Sequence, residues 1–140
     1  MQIKLKKLNP NCQLPSYGHP GDAGLDLFSL ETKTLTPGQR HIFMAGFALE
    51  IPVGYVGIIK DKSSVSSSGL HTFGGVFDAG YRGEYNAGLV NLTDHDITIE
   101  AGQKIAQLVI IPVVEAEILE VAELADSARG TGGFGSTGKF

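Results

Sequence analysis

Apolar residues in this chain fall in short runs, most with a period of two. Residues 3–8 interleave Ile3, Leu5 and Leu8 with Lys4 and Lys6, and residues 25–30 (LDLFSL) alternate as a half-buried strand does. A longer β-rich run covers residues 41–51 and stops at Pro52; shorter ones follow at 55–59, 85–92 and 97–99. Residues 104–113 are nearly continuous apolar sequence rich in β-branched side chains, which predicts a strand buried on both faces. Residues 114–124 (VEAEILEVAEL) are good helix formers, yet their partial alternation reads as one more strand. Between the runs, residues 9–21 hold three prolines and two glycines, an irregular loop, and Thr36-Pro37-Gly38 forms a turn. Many short strands and no long helix predict one all-β domain, a sandwich or barrel of jelly-roll type.

Composition narrows the chemistry. A net charge of −4 argues against a general nucleic-acid binder, which needs a basic face. Cys12 is the single cysteine and the four histidines are scattered, so neither an intrachain disulfide nor a zinc site with the usual ligand spacing is expected. No apolar stretch is long enough for a membrane span and the N-terminus does not read as a signal peptide, so a soluble, cytoplasmic setting is expected.

Several segments carry candidate chemistry. Lys62-Ser63-Ser64, after a strand and at the start of a helical turn, would make a phosphate seat from an ammonium, hydroxyls and backbone N–H groups. Asp22 and Asp26 flank the turn DAGLD, where a turn cap and a solvated strand carboxylate are the simple readings. Gln107 is an amide inside an apolar strand, hence a structural hydrogen-bonder or a ligand contact. Residues 75–84 (GVFDAGYRGE) are the richest segment. Gly74-Gly75 let a backbone approach a planar ligand, and Gly80 and Gly83 permit sharp turns. Asp78 follows Val76-Phe77 on the apolar side, where a desolvated carboxylate takes a proton from water. Tyr81 offers a face to a sugar, while Arg82 and Glu84 read as a surface pair or subunit contacts. Residues 127–140 (SARGTGGFGSTGKF) are glycine-rich. They are either a flexible tail or a lid in which Arg129 supplies charge and Phe134 a stacking face.

In order, DAGLDL (22–27), KSSVSSSG (62–69), GGVFDAGYRGE (74–84), GQKIAQLVI (102–110) and RGTGGFGSTG (129–138) resemble the five motifs of the homotrimeric dUTP pyrophosphatase (dUTPase) family. The resemblance implies an all-β, distorted jelly-roll (β-clip) domain over residues 1–126, with residues 127–140 as a glycine-rich arm closing over an active site. It implies a homotrimer whose three sites are each built from all three chains. The substrate would be dUTP, hydrolysed to dUMP and pyrophosphate by in-line attack of an Asp78-activated water on the α-phosphorus. That reaction limits uracil in DNA and supplies dUMP for thymidylate synthesis. The backbone of Gly75, Val76, Phe77 and Asp78, with Asn86, would read the uracil edge. Tyr81 would pack under the deoxyribose and exclude a 2′-hydroxyl. Lys62, Ser63, Ser64 and Gln107 would hold the phosphates and Arg129 the γ-phosphate. Phe134 would stack on the base, with Gly135 and Ser136 completing the arm. Mg²⁺ would bridge the phosphates with no direct protein ligand, Asp26 standing in its outer shell. Three positions depart from the family pattern: Lys62 replaces the usual Arg, Ser64 a Gly, and Gly80 a second Asp.

Two rivals share the resemblance. dCTP deaminases activate water with a glutamate in the strand after the third motif, a position occupied here by Gly88. A catalytically silent nucleotide-sensing or protein-binding module is the other, against which stand Asp78 and a complete arm.

Overall fold

The computed structural model describes residues 1–133 and 136. Its elements among these are β1 (Lys4–Lys7), β2 (Ser16–Tyr17), β3 (Gly24–Phe28), β4 (Lys33–Leu35), β5 (Arg40–Met44), β6 (Phe47–Glu50) and β7 (Tyr55–Asp61). After these come α1 (Ser63–Ser66), β8 (Leu70–Phe73), β9 (Val76–Phe77), β10 (Asn86–Asn91), β11 (Ile97–Ile99) and β12 (Lys104–Pro112). All pairing is antiparallel. The largest sheet has the order β2-β3-β12-β7-β9, a second has β5-β10-β8, and β1-β6 and β11-β4 form two ribbons.

The period-two pattern sends one face of each strand inward. On β10, Ala87, Leu89 and Asn91 are buried, and Phe43, Leu27, Leu35, Ile99, Ile105 and Leu108 close the same core. Asn91 is the polar member of that core, and its amide is fully used. Nδ2 donates to the carbonyls of Leu35 and His95, both at 2.8 Å, and Oδ1 accepts from the Thr93 N–H and hydroxyl.

Three expectations need correction. Residues 41–51 are two strands in different sheets, parted at Gly46. Its φ of 76° favours glycine, and a Cβ there would lie 2.6 Å from that of Cys12. Residues 114–124 form no strand; Val114, Ile118, Leu119 and Leu124 are at least 80% exposed, because nothing among the described residues covers them. The double burial of β12 holds at Ile105, Ala106 and Leu108, whereas Ile111 is exposed. Short strands β2, β4, β8 and β9 lie where no periodic run is long enough to announce them. No helix among the described residues is long and apolar enough to cross a membrane.

Candidate active site

β3, β7 and β12 are neighbours in the large sheet, and their register sets Asp26 opposite Gln107 and Gln107 opposite Lys60. Asp26 is buried at 2% exposure, yet both of its oxygens are bonded. Lys62 Nζ lies 3.0 Å from Oδ1, Gln107 Nε2 3.3 Å from the same atom, and Lys104 Nζ 2.7 Å from Oδ2. Burial works to raise the Asp26 pKa, but the hydrogen bonds and charges of Lys104 and Lys62 outweigh it and hold the carboxyl below its ordinary value. One buried anion therefore gathers two ammonium groups, a locally cationic patch. Ser63 and Ser64 open α1 beside Lys62 with exposed side chains, and first-turn amides have no partner within their helix. Gly24 makes the packing possible: a Cβ there would come within 3.0 Å of the Gln107 side chain. Asp22 is the turn cap that its sequence suggests, accepting the His19 N–H at 2.8 Å.

The second half of the site is the hairpin from Gly74 to Asn86. Gly75, at φ 97°, passes so close to β7 that a Cβ would lie 2.7 Å from that of Ile59, while its carbonyl accepts the Ile59 N–H at 2.8 Å. β9 is the edge strand of its sheet, so one edge of Val76–Phe77 is free to meet a planar ligand. Asp78 and Tyr81 terminate one turn closed by the Tyr81 N–H to the Asp78 carbonyl at 3.0 Å. The hairpin rests on aromatic rings: Phe77 stacks on Tyr85 at 4.2 Å, Tyr85 on Phe47 at 5.8 Å, and Tyr81 leans on Phe77 at 5.5 Å. Tyr85 is fully buried, its hydroxyl has no hydrogen-bond partner among the described residues, and burial pushes its pKa up to about 12. Asn86 is half-buried where β10 begins, across from Met44.

Asp78 differs from its expected setting. Phe77 points into the core, so alternation turns Asp78 outward, where it is exposed in a groove of about 900 Å³ shared with Val53, Val76, Val113 and Val114. Arg82 and Glu84 are not a pair. Arg82 Nη1 donates to the carbonyls of Ala79 and Tyr81, and Glu84 Oε1 accepts the Gly46 N–H at 2.8 Å, fixing the crossing between β5 and β6.

The two halves do not meet within one chain. Phe77 pairs with Gly57, which places Asp78 beside the start of β7, whereas Lys62 follows its end. Six residues of strand, roughly 20 Å, lie between them. Arg129 bonds within its own segment, its Nε donating to the Gly132 carbonyl at 2.9 Å, and Ser136 is exposed. Phe134 and Gly135 lie outside the described residues.

Comparison with known proteins shows the family. The dUTPase family model matches residues 10–138. The chain belongs to the dUTPase family. It is 42% identical to the deoxyuridine 5'-triphosphate nucleotidohydrolase of Clostridium tetani, over 98% of this chain and 97% of that one. To the Thermobifida fusca enzyme of the same name it is 45% identical, over 99% and 79%. Among solved structures it resembles the Staphylococcus bacteriophage 80alpha dUTPase with dUPNHPP (TM-score 0.92, 34% identity, 98% of each chain). It also resembles a mutant dUTPase of S. aureus phage phi11, described for its coordination of a structural Mg(II) ion (TM-score 0.84, 29% identity, 90% of this chain and 100% of that one). As a member of the family, the chain hydrolyses dUTP to dUMP.

Within this dUTPase, Lys104 escaped the sequence reading. Three positions from Gln107, it belongs on the opposite face of a regular strand, and only the register shift between Lys104 and Ala106 turns it toward Asp26. The signal available was the lysine in GQKIAQ, which alternation alone sends the other way. Gly88, the position that the resemblance to dCTP deaminases assigns to their glutamate, is crowded by Phe73. A Cβ there would lie 2.7 Å from Phe73 Cε2 and 2.9 Å from the Phe73 carbonyl oxygen, so a side chain would force Phe73 and its backbone to shift.

Proposed function

We propose that this dUTPase works as a homotrimer in which each active site joins the Asp78 hairpin of one chain to the Lys62–Gln107 cluster of another and the arm of a third. The observation that carries this reading is the roughly 20 Å between Asp78 and Lys62 along β7. Reactive groups must approach to about 3 Å to act together, and a β-sheet does not fold over that distance. Two further features support it. Asp78 is exposed, and a neighbouring chain would supply the walls that remove water from it. Residues 114–124 carry exposed apolar side chains away from β12, as a segment covered by another subunit would, and they lead to Arg129. The arm on this reading begins to leave its own domain at residue 114, ahead of residue 127.

Chemistry is then divided among the chains. Asp78 orients a water and takes its proton as the oxygen attacks the α-phosphorus; pyrophosphate leaves and dUMP remains. The free edge of β9 and Asn86 read the uracil, and Tyr81 lies under the deoxyribose. Lys62, Ser63, Ser64 and Gln107 hold the phosphates, joined now by Lys104, with Arg129 on the γ-phosphate and Phe134 over the base. Among the described residues no three His, Cys, Asp or Glu side chains converge as a metal cage, and Asp26 is bonded on both oxygens. Such a donor set fits a Mg²⁺ that arrives with the triphosphate, with Asp26 reached only through water. When bound, the ion screens the negative charge of the phosphates. A cytoplasmic location belongs to the same reading.

Mixed trimers test the sharing. Asp78→Asn and Lys62→Ala chains, each inactive alone, are unfolded together, refolded together and assayed for pyrophosphate release from dUTP. Some sites in the mixture receive a native Asp78 from one chain and a native Lys62 from another, so activity returns. If the mixture stays as inactive as its parents while refolded wild type is active, the shared site is wrong.

A further inference from the structure

Gly83 is two residues from Tyr81, and its backbone lies outside the left-handed region, so chain conformation does not require a glycine there. Space does. A Cβ on Gly83 would overlap the Tyr81 ring at Cζ and Oη and come within 2.8 Å of Cε2. The ring is folded back across the hairpin onto this bare backbone and is held there from several sides. Its hydroxyl donates to the Glu84 carbonyl at 3.1 Å, its face leans on Phe77, and its own carbonyl accepts from Arg82 at 2.9 Å. Gly80, in the same turn, has no atom within 4 Å of its would-be Cβ. Of these two turn glycines, Gly83 alone has its missing side chain replaced by the ring.

We propose that Gly83 is a specificity-determining position, its missing side chain allowing Tyr81 to lie where it excludes a 2′-hydroxyl. This rests on the reading of Tyr81 as the floor under the deoxyribose. Tyr81 is 40% exposed, so a side chain at Gly83 displaces the ring toward solvent without opening the core. The hairpin persists and the sugar loses its steric check.

The test compares kcat/KM for dUTP and UTP in wild type, Gly83→Ala, Gly80→Ala, Tyr81→Leu and the double variant Gly83→Ala/Tyr81→Leu, with a melting curve for each. Gly83→Ala and Tyr81→Leu each lower the dUTP-over-UTP ratio by at least about tenfold, and Gly80→Ala keeps it. In the double variant the alanine has no effect beyond that of Tyr81→Leu, on either the ratio or the melting temperature, because the ring it collides with is gone. A Tyr81→Leu enzyme that still discriminates against UTP overturns the reading of Tyr81 itself. A Tyr81→Leu enzyme that loses discrimination beside a Gly83→Ala enzyme that keeps it overturns the role of Gly83. So does a double variant whose losses are the sum of the two single ones, which also covers a Gly83→Ala chain too impaired to assay.

Discussion

Replacing Asp26 by asparagine keeps the shape of a buried side chain and removes the charge that two lysines share. An amide can accept through its oxygen, but its NH2 must then face the other ammonium, donor against donor. Breaking a fully buried ion pair costs about 3–5 kcal/mol, whereas an exposed pair is worth at most about 1 kcal/mol. Here the acceptor is 2% exposed and the lysine side chains 24% and 45%, so both ammonium groups recover part of their hydration. The cost at pH 7 falls between the limits, about 2 kcal/mol, a drop in Tm of roughly 5–10 °C at fixed protein concentration. The pH dependence has a definite sign. The native carboxyl is held below its ordinary value, so its stabilisation is fully present above the unfolded pKa near ~3.9 and disappears as pH falls through the native value. The gap between wild type and Asp26→Asn is therefore full at pH 7 and at pH 5, and it closes below pH 4. Urea unfolding at pH 7, 5 and 3 measures it, and KM for dUTP rises at pH 7 because Lys62 and Lys104 lose their common anchor. A gap under about 0.5 kcal/mol at pH 7, or one that is unchanged at pH 3, would refute the reasoning.

Other expectations are sharper in direction than in size. Tyr85→Phe deletes a buried hydroxyl that has no partner among the described residues while keeping the ring stacked between Phe77 and Phe47; the melting temperature stays level or rises, by the equivalent of about 1 kcal/mol. A fall of several degrees would reveal a partner for that hydroxyl in the assembled protein. Lys62→Arg brings a fork that can grip phosphate with two parallel bonds, so KM for dUTP falls in steady-state assays while kcat changes little. A raised KM would mean that the compact ammonium is needed to fit beside Lys104 on Asp26.

Much of the barrel was legible because alternation is a local signal: Ala87, Leu89 and Asn91 point inward in the phase their sequence sets. What failed was set by distant partners. Within residues 41–51 the lone glycine is the one mark of the break, and what enforces it lies elsewhere: the approach of Cys12 and a hydrogen bond from Gly46 to Glu84. Apolar side chains in residues 114–124 announce burial without naming the surface that buries them, so a strand within the same sheet was the natural expectation. The site was legible as ordered motifs, and less so as geometry. Asp26 looked like a solvated strand residue until the bulge at Lys104 supplied its second cation. Asp78 is exposed in the single chain because Phe77, packed on Tyr85, fixes the phase of that short strand, although the groove it lines is rich in valine.

Phe73 lies against Gly88, and that contact bears on the evolutionary routes open to this chain. If the carboxylate of a deaminase stands at Gly88, as the resemblance to dCTP deaminases implies, a lineage drifting toward that chemistry drives a side chain into the Phe73 ring and backbone. Truncating Phe73 first would remove the ring but leave its carbonyl oxygen, 2.9 Å from a Cβ at Gly88, in the way. Side-chain changes at these two positions alone therefore do not open this route; the backbone of β8 must move as well.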